Sequence, residues 1–186
     1  MIHRKHLSKI LYAASAALLL AACADRPTDP NATSSSGNGA PDANAEKPSF
    51  TLAVGFVGTP VGRGNLGTFH IKSKADGYDV QLKSHDNTDI AVTNIAVTPG
   101  GHSGWHYHPG PVLVVVKTGA ITFYHGDDPT CSGTRHPAGT VFIEKGGDVG
   151  IARNEEAVET TVVATFFVPA GGPTRIDAPA PGNCAF

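Results

Sequence analysis

Helical periodicity is what this chain most lacks. After Pro48 no stretch repeats apolar residues every three or four positions between capping residues, which argues against a helical domain. Charge is sparse: Asp, Glu, Lys and Arg make up 16% of the chain, and the formal net charge is −2. Nothing in that balance draws the protein to nucleic acid. There is no GxSxG, no cysteine beside a usable base, and no glycine loop leading into a helix. Triad hydrolysis and phosphate-cradling chemistry therefore have no residues to rest on. Long apolar runs are scarce too. Ile10 to Leu20 stands at the start of the chain and is shorter than the roughly 20 residues a membrane span needs.

That run is informative for another reason. It follows a basic opening with Arg4, Lys5 and Lys9 and precedes Ala21, Ala22 and Cys23. A charged start, a short apolar core and small residues before a cut site have the form of a secretory signal peptide. Leu20-Ala21-Ala22-Cys23 resembles the bacterial lipobox. The resemblance implies export, cleavage before Cys23 and lipidation of that cysteine, so the mature protein would be tethered to a membrane of the cell envelope. Several acyl chains would hold it far more firmly than one. Ala24, in place of an aspartate, favours the outer membrane in a Gram-negative cell. Cleavage would remove three of 14 basic residues and none of 16 acids, taking the formal charge from −2 to −5.

Only three cysteines are present. With Cys23 carrying lipid, Cys131 and Cys184 remain in an oxidising compartment, where a disulfide is the expected state. Such a bond would pin an irregular C-terminal tail to the domain, worth about 3–4 kcal/mol in the chain-entropy account.

Residues 24–48 contain no Val, Ile, Leu, Phe, Tyr or Trp. A segment of Ala, Asn, Ser, Pro, Gly and Asp buries too little apolar surface to offset its ordering entropy, so it reads as a disordered spacer. A flexible coil of that length holds a domain on the order of 25–30 Å from its anchor. The expected organisation is a signal peptide over 1–22, a lipid-anchored linker over 23–48 and one folded domain over 49–186.

From Phe50 onward, short runs rich in Val, Ile, Thr and Phe alternate with Gly and Pro. Nine strands are predicted: 50–57, 68–73, 78–83, 89–98, 112–117, 120–125, 140–144, 149–152 and 158–168. Val112 to Val116 is apolar throughout, as suits a strand covered on both faces, while other runs alternate. Nine strands at this spacing argue an all-β sandwich or barrel.

The chemistry-bearing stretch runs from Thr98 to Gly119. His106 and His108 are two apart, so on a strand both imidazoles point to one face, a pairing suited to Zn, Fe, Mn, Ni or Cu. The spacing of Gly100, His106, His108 and Gly119 resembles the first motif of the cupin superfamily. Gly139, Gly147 and Asn154 resemble the second. The resemblance implies a double-stranded β-helix, a jelly-roll barrel, whose lumen receives both motifs. It also implies a metal held by three histidines and a glutamate, but here Val112 stands at the glutamate position, Gly150 at the third histidine and Lys145 at a proline.

Two imidazoles seldom hold a divalent ion alone, since protein zinc sites draw on three or four protein ligands. His102 and His125 are further candidate ligands, with His136, Glu144 and Asp148 behind them. Val112 keeps the parity of His108 and would face the same way. Trp105 and Tyr107 would pack outward from the histidines. Three functions follow: a non-catalytic or sensory barrel holding a small molecule or a divalent transition metal; a metal-dependent enzyme of dioxygenase or isomerase type; or a structural envelope protein. Without a ligand, His106 and His108 would be hydrogen-bonded groups in a polar cavity.

The anchor is directly testable. Cys23→Ser should move the protein from the membrane fraction to the soluble fraction on cell lysis and ultracentrifugation. Retention of the variant in the membrane would contradict lipidation.

Overall fold

The computed structural model describes residues 49–186. The apolar run, Cys23 and the spacer lie outside the described residues. Alternating sequence becomes strand throughout: ten strands form, and no helix occurs among the described residues. In chain order these are β1 (Val54–Ala75), β2 (Tyr78–His102), β3 (His106–Tyr107), β4 (Val112–Thr118) and β5 (Ala120–His125). They continue as β6 (Thr134–Pro137), β7 (Val141–Glu144), β8 (Gly150–Arg153), β9 (Thr160–Pro169) and β10 (Ile176–Asp177).

The pairing is antiparallel everywhere, and it defines the architecture. One layer runs β1-β2-β9-β4-β7, and the other runs β10-β3-β8-β5-β6. Strands two, nine, four and seven against three, eight, five and six is the strand order of a jelly roll, or double-stranded β-helix. Adjacent layers share β2, whose last residue His102 leaves β9 and pairs with Arg153 of β8. Gly100-Gly101 makes that corner possible. Gly100 has φ +72°, and a β-carbon on Gly101 would lie 2.9 Å from three backbone carbonyl oxygens.

Alternation then sorts the side chains. Across the first layer, Ile95, Val162 and Val116 line up in register, as do Thr93, Ala164, Val114 and Phe142. Val97, Val112, Val116 and Val168 are each at most 1% exposed, and burial on that scale is worth about 1.5–3 kcal/mol per side chain. The run Val112 to Val116 alternates between buried and more exposed residues, with Val115 41% exposed, so its second face stays open in the chain by itself. The segment 160–168 alternates buried and half-buried in the same way and forms the core strand β9, as its composition predicts.

Two differences from the predicted strands have a common cause. The runs 50–57 and 68–73 are joined in one strand, β1, and 78–83 and 89–98 are joined in β2. The intervening Gly, Pro and Asn residues act as β-bulges in a continuous ladder, with register shifts at Pro60/Gly62, Asn65/Gly67 and Gly67/Phe69. The hairpin tip is Asp76-Gly77, both with positive φ, the tight turn whose twist matches an antiparallel ribbon.

Asn154 is fully buried, and its amide donates to the carbonyls of Val97 and Val158, both at 2.8 Å. Trp105, 1% exposed, packs as its parity suggests. The expected disulfide is present: Cys131 and Cys184 are bonded, closing a separation of 53 residues. It fixes a tail that first pairs with β3 through β10 and then crosses to the loop after β5, where the Asn183 amide donates to the carbonyls of His125 and Asp128.

Asp89 ties the start of the core part of β2 to β1 and to the loop after β9. It accepts from Gly171 N at 3.0 Å, Asn65 Nδ2 at 2.8 Å and Arg63 Nε at 2.7 Å, and these donors lower its pKa from 3.8 to about 2. A carboxylate depressed on folding stabilises above its unfolded pKa and loses that effect as pH falls through the folded value. Asp89→Asn should therefore melt below the wild type at pH 7, and the gap should close as pH is lowered from 4 towards 2. Thermal denaturation across that range checks it.

Candidate functional site

The barrel encloses a cavity of about 280 Å³ between the two layers. Its body is aliphatic and aromatic, with Ile95, Val114, Phe142, Val162 and Phe166 among the lining groups. Its polar end holds His106, His108 and Glu144, with Arg175 beside them. The same-face expectation for the two histidines holds, although β3 covers only His106 and Tyr107 and the chain leaves the strand at His108-Pro109. Both histidines are 5% exposed, and their Nε2 atoms lie 3.1 Å apart.

Glu144 completes the group. Its Oε2 sits 3.0 Å from His108 Nε2, and one donor atom from each of the three residues falls within 4.8 Å of the others. Register explains how it arrives there. On β4 and β7 Val112 stands opposite Glu144, so the strand neighbour of the valine supplies the carboxylate that the valine lacks. Val112 itself is inward and 1% exposed, as its parity requires. His102 and His125 fall outside this group. His102 accepts from Gly104 N at 3.2 Å through Nδ1, and His125 is exposed with its ring edge-on to Phe123. His136 stacks on Phe142 at 4.2 Å between centroids.

Gly150 is paired with His106 on one side and His125 on the other. A β-carbon there would sit 2.2 Å from Phe123 Cζ, so an aromatic ring occupies the space that a side chain at 150 would need. The donor set among the described residues is two imidazoles and one carboxylate.

Backbone carbonyls hold both rings in place. His106 Nδ1–H donates to Gly104 O at 2.9 Å, and His108 Nδ1–H donates to Thr174 O at 2.5 Å. Carbonyl oxygens only accept, so each ring keeps a proton on Nδ1 and, in its neutral form, presents an Nε2 lone pair. Burial, and then the charge of Arg175, hold the His106 pKa down to about 4. Two imidazole Nε2 atoms and a carboxylate oxygen thus converge in one buried cavity. Carbonyls on Nδ1–H are what orient metal-bound imidazoles, and they leave Nε2 as the atom offered to an ion. The residues fit a divalent transition metal.

Two contributors came from the C-terminal tail and carry no motif. Thr174 acts through its backbone carbonyl. Arg175 is held by its Nη2 donating to Ser103 O at 2.7 Å and its Nε donating to Asp177 Oδ1 at 2.8 Å. Glu144 had a signal of a kind, being an acid in a strand of apolar partners, but its significance depends on which strand lies beside it.

Several solved structures similar to this chain are cupins. No family model and no curated protein matches the sequence. A double-stranded β-helix protein from Klebsiella pneumoniae subsp. pneumoniae MGH 78578 is 23% identical over 60% of this chain and 79% of its own, with a TM-score of 0.41. A cupin domain of a transcriptional regulator from Enterobacter cloacae is 13% identical over 62% and 97%, with a TM-score of 0.42. An oxalate oxidase is 20% identical over 43% of this chain at a TM-score of 0.38, and the chain spans 42% of that protein's length.

The close packing of Gly150 on Phe123 makes a measurable coupling. Gly150→Ala should cost about 1–3 kcal/mol through overpacking. The penalty should shrink when Phe123 is already Leu, and a double-mutant cycle by urea denaturation reads the difference.

Proposed function

We propose that this chain is an envelope cupin whose barrel binds one divalent transition metal through His106, His108 and Glu144, and with it a small ligand lodged against the apolar wall. The observation that carries this reading is the convergence of two imidazole Nε2 atoms and a carboxylate oxygen in a buried cavity. The ion would supply positive charge to an oxygen or nitrogen donor of the ligand. This chain's own residues do the remainder. Gly104 O and Thr174 O orient the imidazoles, Arg175 adds a fixed positive charge beside His106, and the aliphatic wall excludes water. A cavity near the lower end of the usual small-molecule range restricts the ligand to a small one.

The reading favours binding or sensing, displayed from a lipid anchor at Cys23. A second reading has one specific support. Two histidines with one carboxylate is the donor set used by non-haem iron oxygenases and, with Zn, by several hydrolases, so a metal-dependent enzyme of dioxygenase or isomerase type uses the same residues.

Four variants test the metal. Protein purified without chelator should contain about one equivalent of Fe, Mn, Ni, Cu or Zn by mass spectrometry of the metal, or raise its melting temperature when one is added. His106→Ala with His108→Ala, and Glu144→Gln alone, should each abolish the content and the shift. The exchange Val112→Glu with Glu144→Val places the carboxylate on the neighbouring strand and should retain binding better than Glu144→Val alone. A wild type that is metal-free and unmoved by all five ions removes the proposal. Oxygen uptake or product formation by the metal-loaded protein would favour the enzyme.

A further inference from the structure

The tail behind the histidines carries a charge that the metal donors do not use. β10 pairs antiparallel with β3, Ile176 opposite Tyr107 and Asp177 opposite His106. Carried one residue on, that register brings Arg175 alongside His108, whose ring donates to the preceding carbonyl, Thr174 O. Arg175 accordingly lines the cavity, as the two histidines do. A guanidinium is a fork of five N–H donors. Ser103 O takes one from Nη2 and Asp177 Oδ1 takes the one on Nε, which leaves most of the fork for a ligand. Asp177 is the more open side of that ion pair, 51% exposed against 29%, so water screens the carboxylate more than the guanidinium.

From this polar end the wall turns to hydrocarbon in steps. Glu144, Val112 and Phe166 make one inward row across β7, β4 and β9. The next inward row, about 7 Å along the strands, is Thr93, Ala164, Val114 and Phe142. Ile95, Val162 and Val116 form the one after it. Beyond the polar end, Thr93 carries the one polar side chain of the cavity lining among the described residues. A sugar or polyol would bury several hydroxyls there without partners, and each such group is costly. A second charge on the ligand would meet only hydrocarbon, which is costlier still.

We propose, resting on the metal reading above, that the ligand of this barrel is a monocarboxylate with a short aliphatic body, such as isovalerate, and that Arg175 selects it. Metal-bound imidazoles are neutral. With a divalent ion in place, Arg175 offsets one of the carboxylates Glu144 and Asp177, and a single positive charge is left for the ligand to neutralise. A carboxylate meets both cations at once, one oxygen for the ion and the other for the N–H fork of Arg175 in a charge-assisted pair. Its body then lies along the two hydrocarbon rows, where every buried CH₂ adds to binding. A cavity of about 280 Å³ limits that body to a few carbons.

The test uses the full-length chain carrying Cys23→Ser, loaded with whichever of Fe, Mn, Ni, Cu or Zn it takes up, with metal content measured before and after each addition. Isovalerate should raise the melting temperature of the loaded protein. By calorimetry it should bind roughly tenfold or more tightly than isovaleramide, its neutral counterpart, and than succinate, which carries a second carboxylate. Arg175→Gln should weaken isovalerate by roughly tenfold or more with metal content unchanged, and Arg175→Lys should recover part of the loss. Ala164→Val, in the first hydrocarbon row, should weaken isovalerate more than acetate, and it keeps the test in force if the Arg175 variants fail to fold. A loaded protein that ignores isovalerate, binds the amide or succinate equally well, or keeps its affinity in Arg175→Gln overturns the proposal and leaves the metal reading standing. A chain that takes up none of the five ions overturns both.

Discussion

Pairing of β4 with β7, in the register that sets Val112 opposite Glu144, is the constraint on which the site depends. Side chains opposite one another on antiparallel strands are separated by only about 5 Å, so a carboxylate moved across that gap still reaches the same imidazoles. A slip of one residue would turn Glu144 to the outside and bring Ile143, now 61% exposed, into the cavity. The inward rows of Val114, Phe142 and Ala164 hold that register, because any slip would expose them. Core packing and donor placement are thus one requirement.

The C-terminal tail has a comparable double role. After β9 it returns over the barrel, delivers Thr174 O to His108, sets Arg175 beside His106 and pairs with β3 directly behind the histidines. Its far end is fastened by the Cys131–Cys184 bond and by Asn183. Covalent closure lowers the entropy of the unfolded chain, and in this fold it also fastens the segment that orients one of the proposed ligands.

The two faces of the first layer divide the labour. Inward residues make the cavity, and outward ones, Val92, Leu113, Val115 and Val163 among them, present a largely apolar surface. The cavity inside and the apolar surface outside therefore arise from the same alternation, read on opposite sides of the same strands.

The all-β character, most strand positions, the inward sense of His106, His108 and Val112, and the cysteine pairing were legible in the sequence. Each rests on local information, either a period of two or a count of three cysteines. What lies between strands was not. Whether Gly62 and Gly67 mark turns or bulges depends on the partner strand, and so 50–57 and 68–73 proved to be one strand. Glu144 stands 36 residues from His108, and only the β4–β7 register makes it a neighbour. Thr174 acts through a carbonyl that every residue possesses, and it carries no signal at all. The sequence by itself determined which residues alternate and which imidazoles share a face, because those properties pass along a single strand. The tertiary structure decided which acid, which carbonyl and which arginine meet them, because those contacts cross between strands far apart in the chain.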